Sequence, residues 1–224
     1  MHAQTDIVII GAGPSGLCLA SALAETALSI TVLERQALAS IAEPTFDGRE
    51  IALTHHSADL MRELGLWERI NPQAISPLRD ARVFNGSSLL SLNISHDLSN
   101  KTELGYLLAN HEIRKAAYAV AASHSSVSIQ TEQKVRHIQQ EKNSLRLTLS
   151  NDNVISCQLL IAADSRFSDP GRAMGIPADM HDFGKTMLVC VMAHTLEHQH
   201  TAWEWFDYGQ TLALLPMNGL RSSV

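Results

Sequence analysis

The chemistry legible in this chain lies in a glycine-rich turn and a carboxylate some way beyond it. In the run Asp6-Ile7-Val8-Ile9-Ile10-Gly11-Ala12-Gly13-Pro14-Ser15-Gly16, four apolar residues that read as a buried strand give way to closely spaced glycines. Gly11 and Gly13 allow the tight turn and close backbone approach that a pyrophosphate needs. The helix that follows presents free N–H groups and a positive dipole end to the anion. Gly16, with the small Ala20 one turn later, lets that helix pack closely on the strand. A second apolar run, Ile30-Thr31-Val32-Leu33, delivers Glu34 eighteen residues after Gly16, where a carboxylate accepts hydrogen bonds from an adenosine ribose. The order strand, turn, helix, strand, acid separates a dinucleotide site from a chance glycine turn.

Composition narrows the setting in which such a site works. With 224 residues, 45% of them hydrophobic, the chain has material for one large α/β domain or one and a half ordinary ones. A formal net charge of -6 without any Lys/Arg cluster argues against nucleic acid as a partner. Cys18, Cys157 and Cys190 are widely spaced in apolar runs, which predicts reduced, buried thiols and a cytoplasmic setting. No apolar run approaches the roughly 18 residues of a membrane span, so any membrane contact is expected to be peripheral. A secretory leader is not expected either. Residues 7–24 are apolar, but Asp6 stands where a basic flank belongs, and glycines and a proline interrupt the run.

The elements beyond the turn follow from periodicity. A helix is predicted from Ser57 to Leu64, with Leu60, Met61 and Leu64 as its apolar stripe and Gly65 as its stop. From Arg82 to Ser95 the period is two, with Leu90, Leu92 and Ile94 on one face of a half-buried strand. An apolar run from Leu104 to Ala109 precedes a helix capped by Asn110, with Glu112 in its first turn. Val127 and Ile129 lie on a strand, residues 135–149 read as a hairpin turning at Glu141-Lys142-Asn143, and Leu159 to Ala163 is a buried strand ending at Asp164. An antiparallel meander therefore interrupts a parallel α/β core. Beyond Lys185 the pattern is strand again: Met187 to Ala193, Ala202 to Phe206 and Thr211 to Leu215.

Three further clusters carry chemistry-bearing side chains. His194-Thr195-Leu196-Glu197-His198 matches an inverted zinc-peptidase pattern, but it joins two predicted strands rather than riding one helix, so no metal is expected. His55-His56 reads as an exposed helix entry, with a proton relay facing a cavity as the rarer alternative. Trp203, Trp205 and Phe206 read as sheet core, with a pocket lining as the alternative.

Ile161-Ala162-Ala163-Asp164-Ser165-Arg166-Phe167-Ser168, a strand ending in an acid and a polar turn, resembles the Asp-Gly motif of FAD-dependent aromatic hydroxylases. Together with the glycine turn, Glu34-Arg35, Asp47-Gly48-Arg49-Glu50-Ile51-Ala52-Leu53-Thr54 and the helix at Asn110, it makes the chain similar to the UbiH/VisC family of ubiquinone-biosynthesis hydroxylases, and within it to the UbiM-type branch. The resemblance covers essentially the whole chain. It implies an α/β fold: an FAD-type Rossmann unit with an inserted antiparallel β-meander, plus a partial, mainly-β substrate sheet. Residues 1–78 and 104–178 would form the incomplete FAD-binding domain, and 79–103 and 179–224 the partial substrate sheet.

By the same resemblance Gly11, Gly13, Ser15 and Gly16 would hold the FAD pyrophosphate, Glu34 the ribose and Arg35 the adenine edge. Arg49 would sit near the phosphates, Asn110 near the ribityl chain, Val135 against adenine, and Asp164 on the riboflavin half. The implied activity is hydroxylation of a polyprenylated phenol with NAD(P)H and O2, with peripheral membrane or biosynthetic-complex association. Two positions depart from the family pattern: Ser165 stands where the motif has glycine, and Gly171 where it continues to arginine. The family's second flavin motif, Gly-Asp-Ala-Ala-His, is absent, so the chain is expected to be the N-terminal half of a longer protein, inactive alone. A nicotinamide-dependent dehydrogenase on the same βαβ unit and a non-catalytic nucleotide-binding module are the alternatives.

Overall fold

A computed structural model describes residues 2–98, 100–207 and 209–224. The chain opens with β1 (His2–Gln4), β2 (Ile7–Ile10), α1 (Pro14–Leu23), β3 (Ile30–Leu33) and α2 (Leu38–Ala42). Next come β4 (Glu50–Thr54), α3 (His55–Glu63), β5 (Ser76–Leu78), β6 (Asp80–Asn85), β7 (Ser91–Ile94) and β8 (Gly105–Ala109). Then α4 (Asn110–Ala121) leads into β9 (Val127–Gln130), β10 (Val135–Gln140), β11 (Leu145–Leu149), β12 (Val154–Cys157) and β13 (Leu159–Ala162). After α5 (Asp169–Ala173) follow β14 (Val191–Ala193), β15 (Thr201–Asp207), β16 (Gln210–Met217) and β17 (Arg221–Ser223). Contacts divide the chain into a first unit, Met1–Thr45 with Arg114–Phe183, and a second, Phe46–Ile113 with Gly184–Val224. These bounds differ from those drawn on sequence, because β4, β5 and β8 pair with one another as a separate sheet.

The first unit is built on a parallel sheet in the order β13-β2-β3-β9. Its inner strands are buried along their whole length, with Val8, Ile9 and Val32 at 0% exposure. Parallel strands covered on both faces are written as continuous apolar runs, which is why Ile7–Ile10 and Ile30–Leu33 were readable. The expected meander is present as β10-β11-β12, and β1 adds to it in parallel beside β12, a pairing the polar segment at residues 2–4 did not announce. Leu147, Leu149 and Ile155 from the meander share one core with Val8, Ile10 and Leu33.

The second unit holds the antiparallel sheet β4-β8-β5 and a larger one in the order β14-β17-β16-β15-β6-β7, in which only β15 and β6 run parallel. Several expectations change here. The segment predicted as one strand is a hairpin, because the chain reverses after Asn85 through Gly86 at φ +53°. On its edge strand Leu92 is 63% exposed, and Leu90 and Ile94 are exposed too. Trp203, Trp205 and Phe206 are also exposed rather than core, the two tryptophans flanking Phe84 at ring distances of 5.3 and 5.2 Å. Helix α3 starts at His55, because Thr54 Oγ1 accepts from the Ser57 backbone N–H and supplies the cap. Gly65 ends that helix at φ +75°, as expected, while Leu60 faces outward. Of the strand predicted at 187–193 only β14 forms. Of the cysteines, all free, Cys157 is buried, Cys18 half-buried and Cys190 exposed, so the prediction of three buried thiols holds only for Cys157. Among the described residues no helix is long and apolar enough to cross a membrane.

Candidate cofactor site

In the first unit the carboxyl ends of β2, β3 and β13 open onto a cavity of about 320 Å³. The turn after β2 is as tight as its sequence suggests. Gly11 sits at φ +109°, and a Cβ there would come within 2.5 Å of the Ala163 carbonyl oxygen. A Cβ on Gly16 would lie 2.1 Å from the Gly11 carbonyl oxygen, so the first turn of α1 can pass this close only without a side chain. Gly13 is the N-cap of α1 with no side chain folded over it, and Pro14 occupies the first turn. The early N–H groups of the helix, which have no intrahelical partner, therefore point into the cavity mouth.

Glu34 is 9% exposed, and both its oxygens are engaged. Oε2 accepts from the Ala12 backbone N–H and Oε1 from the Gln36 N–H, each at 2.8 Å. The carboxylate thus locks the glycine turn to the end of β3, and each oxygen keeps a further lone pair for a hydroxyl. Opposite stands Asp164, whose Oδ1 is buried without a hydrogen-bond partner. A buried, unpaired carboxylate oxygen on a cavity wall is costly unless a ligand donates to it. Next to it Ser165 adopts φ +118°, the left-handed region that glycine occupies without strain. The next helix beyond it is α5, where Ser168 Oγ accepts from the Gly171 N–H at 2.9 Å.

Of the residues singled out on sequence, the cavity lining brings together Gly11, Gly13, Ser15, Glu34, Arg35, Val135 and Asp164, with Gly16 directly behind the turn. Val135 opens β10, paired with Leu149 just before a register shift in the ladder. Arg114 and Lys134 also line the cavity and were missed, since a lone cation on a helix or at a strand start carries no motif.

Arg49 and Asn110 belong to the second unit, where Asp47 joins them. Asp47 Oδ2 accepts from Arg49 Nε at 3.0 Å, from Arg49 Nη2 at 2.5 Å and from Asn110 Nδ2 at 2.8 Å. Asn110 is accordingly the first residue of α4 with its amide turned to Asp47, rather than a cap with its side chain on the helix. Burial by itself would raise the Asp47 carboxyl, but the hydrogen bonds from Arg49 and Asn110 outweigh it and hold the group at about 2. Gly48 at φ +75° bends the chain so that Asp47 and Arg49 meet.

The ring nitrogens of the histidine cluster are engaged within the second unit. His194 bonds through its ring nitrogens to Leu196 O and Ser222 Oγ, and His198 Nε2 lies 2.8 Å from Met217 O. Among the described residues no group of three or more His, Cys, Asp or Glu side chains could hold a metal ion. His55 Nε2 lies 2.8 Å from the Glu103 carbonyl oxygen, with its ring against Tyr106, so it is a partly buried anchor of the helix entry.

Residues 4–223 match the FAD binding domain family. The chain belongs to that family. FAD is therefore the dinucleotide of this domain, and an unpaired Asp164 oxygen together with a side-chain-free turn fits its hydroxyl and pyrophosphate groups. The chain is 46% identical over 221 residues to ubiquinone hydroxylase UbiM of Neisseria meningitidis, a match covering 97% of this chain and 48% of that protein. It is 23% identical to the 3-demethoxyubiquinol 3-hydroxylase of Escherichia coli, over 95% of this chain and 54% of that protein. The chain spans about half the length of these curated relatives. Among solved structures, PqsL, a probable FAD-dependent monooxygenase from Pseudomonas aeruginosa, superimposes with a TM-score of 0.81 at 16% identity, over 98% of this chain and 59% of that one. That likeness establishes the FAD-monooxygenase fold, an α/β architecture with mixed sheets.

Proposed function

We propose that the chain is the FAD-holding part of a hydroxylase that acts on the ring of a polyprenylated phenol in ubiquinone biosynthesis, using NAD(P)H and O2. The observation that carries this reading is the 46% identity to the Neisseria ubiquinone hydroxylase across nearly the whole chain. In it, the first turn of α1 and Gly13 hold the pyrophosphate through backbone N–H groups. Glu34 accepts from the ribose hydroxyls, and its charge repels a 2'-phosphate. Arg35 and the Val135 backbone border the adenine, and Asp164 accepts from the riboflavin half. Bound FAD supplies the electron transfer and oxygen activation that side chains lack. The protein supplies position and dryness.

The chain alone does not hydroxylate in this reading, since holding an acceptor ring in reacting geometry away from water needs more enclosure than half a relative's length provides. The test supplies FAD, NADH and a demethoxyubiquinol analogue to the chain, and to a chimera joining it to the part of the Neisseria protein outside the match. Hydroxylated product from the chimera and only hydrogen peroxide from the chain are expected. A folded, FAD-loaded chimera giving no hydroxylated product contradicts the function. Hydroxylation by the chain alone contradicts its inactivity.

A further inference from the structure

The second unit contains a cavity of its own, about 240 Å³, between the start of β4, the start of α4 and the turn from β16 into β17. Part of its wall is apolar, from Phe46, Ala74, Ala109 and Met217. Most of its polar groups are already used. Asn218 donates from Nδ2 to the Gln73 and Ile75 carbonyl oxygens, and its backbone N–H donates to Ser76 Oγ, all at 2.9 Å.

Among the described residues of its wall two buried side-chain atoms lack a partner, and the Arg221 side chain lines the same cavity. Glu50 Oε1 and His111 Nδ1 are both buried with no hydrogen-bond partner. The His111 ring meets Phe46 edge-on at 5.4 Å, and its Nε2 lies 3.3 Å from Glu112 Oε1. With the ring hydrogen assigned to Nε2, which faces that carboxylate, Nδ1 presents a bare lone pair. Burial pushes the Glu50 carboxyl up, the Arg221 charge opposes that and Asp47 adds to it. With Glu50 ionised the cavity holds two unsatisfied acceptors beside apolar surface. Each leaves a desolvation cost in place until a donor arrives.

We propose that this cavity binds a phenolic ring whose hydroxyl hydrogens are donated to Glu50 Oε1 and His111 Nδ1, with the ring lying against Phe46 and Met217. The assignment rests on the hydroxylase reading above and names the residues that select its ring. Paired acceptors reward a quinol and reject a ring whose oxygens carry no hydrogen, because the analogue would leave both atoms unpaired.

The experiment titrates the chain with hydroquinone and with 1,4-dimethoxybenzene by calorimetry, and measures FAD affinity on the same preparation. Hydroquinone is expected to bind more tightly by roughly tenfold or more, the usual effect of one to two charge-assisted hydrogen bonds. Glu50→Gln, which keeps the shape and exchanges an acceptor for a donor, should shrink that ratio. Equal binding of the two rings, a ratio unchanged in Glu50→Gln, or no hydroquinone binding by a chain that still binds FAD would overturn the proposal. Should Glu50→Gln not fold, the wild-type ratio alone decides. Selective hydroquinone binding by a chain with no affinity for FAD would support the cavity assignment and sink the hydroxylase reading instead.

Discussion

The two units use their apolar residues in opposite ways. In the first, β2 and β3 are buried throughout, and the turn that joins them to α1 is so close that a single methyl group would collide with backbone. In the second, the large sheet leaves Leu92, Trp203, Trp205 and Phe206 exposed, and its polar clusters are tied together by side chains far apart in sequence. The contrast separates two kinds of precision. A pyrophosphate cradle is set by backbone geometry that tolerates almost no change, whereas a ring pocket is set by a few side chains on a more permissive frame.

Substitution can break this comparison. Leu147 is fully buried in the first unit's core, and Leu147→Ala is expected to lower unfolding free energy by about 2–5 kcal/mol in urea titration. A loss no larger than that of a surface substitution would show that the first unit's core is not close-packed. Ser165→Gly should raise stability by roughly 1 kcal/mol, since it relieves the backbone at φ +118°. An unchanged or lowered melting temperature would mean that the serine conformation carries no strain.

Acid unfolding addresses the second unit. Asp47 is held at about 2, below its ordinary 3.8, so its contribution is complete above pH 4 and is lost as pH falls through about 2. Asp47→Asn should flatten the decline of stability between pH 4 and pH 2 without altering its slope above pH 5. A parallel curve would remove Asp47 from the account of Arg49 and Asn110. The smallest effect is expected at Leu92→Ser, under about 0.5 kcal/mol, because the leucine is already in water. A loss comparable to that of Leu147→Ala would mean that the edge strand is covered and the contrast false.

The same contrast explains what the sequence could convey. Ile7–Ile10, Ile30–Leu33 and the hairpin at 135–149 were legible because buried or regularly alternating strands leave local patterns, and the Gly11-to-Glu34 spacing is set by one βαβ unit. The β6–β7 reversal was not, since period-two alternation looks the same in one long strand and in two paired ones. Only Gly86 marked the difference. Asp47 was missed as the partner of Asn110 because sixty-three residues separate them, and no local spacing announces such a bond. Arg114, Lys134 and the unpaired atoms of Glu50 and His111 are likewise products of tertiary placement. The strain at Ser165 was half legible: the residue's lack of glycine's freedom was evident, while its left-handed backbone needed the structure.

The central claim is that the first unit holds FAD through the turn that Glu34 locks, and equilibrium titration of FAD into the chain, followed by quenching of flavin fluorescence, tests it most directly. Glu34→Ala removes both the ribose acceptor and the bond to the Ala12 N–H. It should weaken binding by roughly 1.5–3 kcal/mol, about ten- to a hundredfold, with circular dichroism unchanged. Equal FAD affinity for Glu34→Ala and wild type would contradict the account.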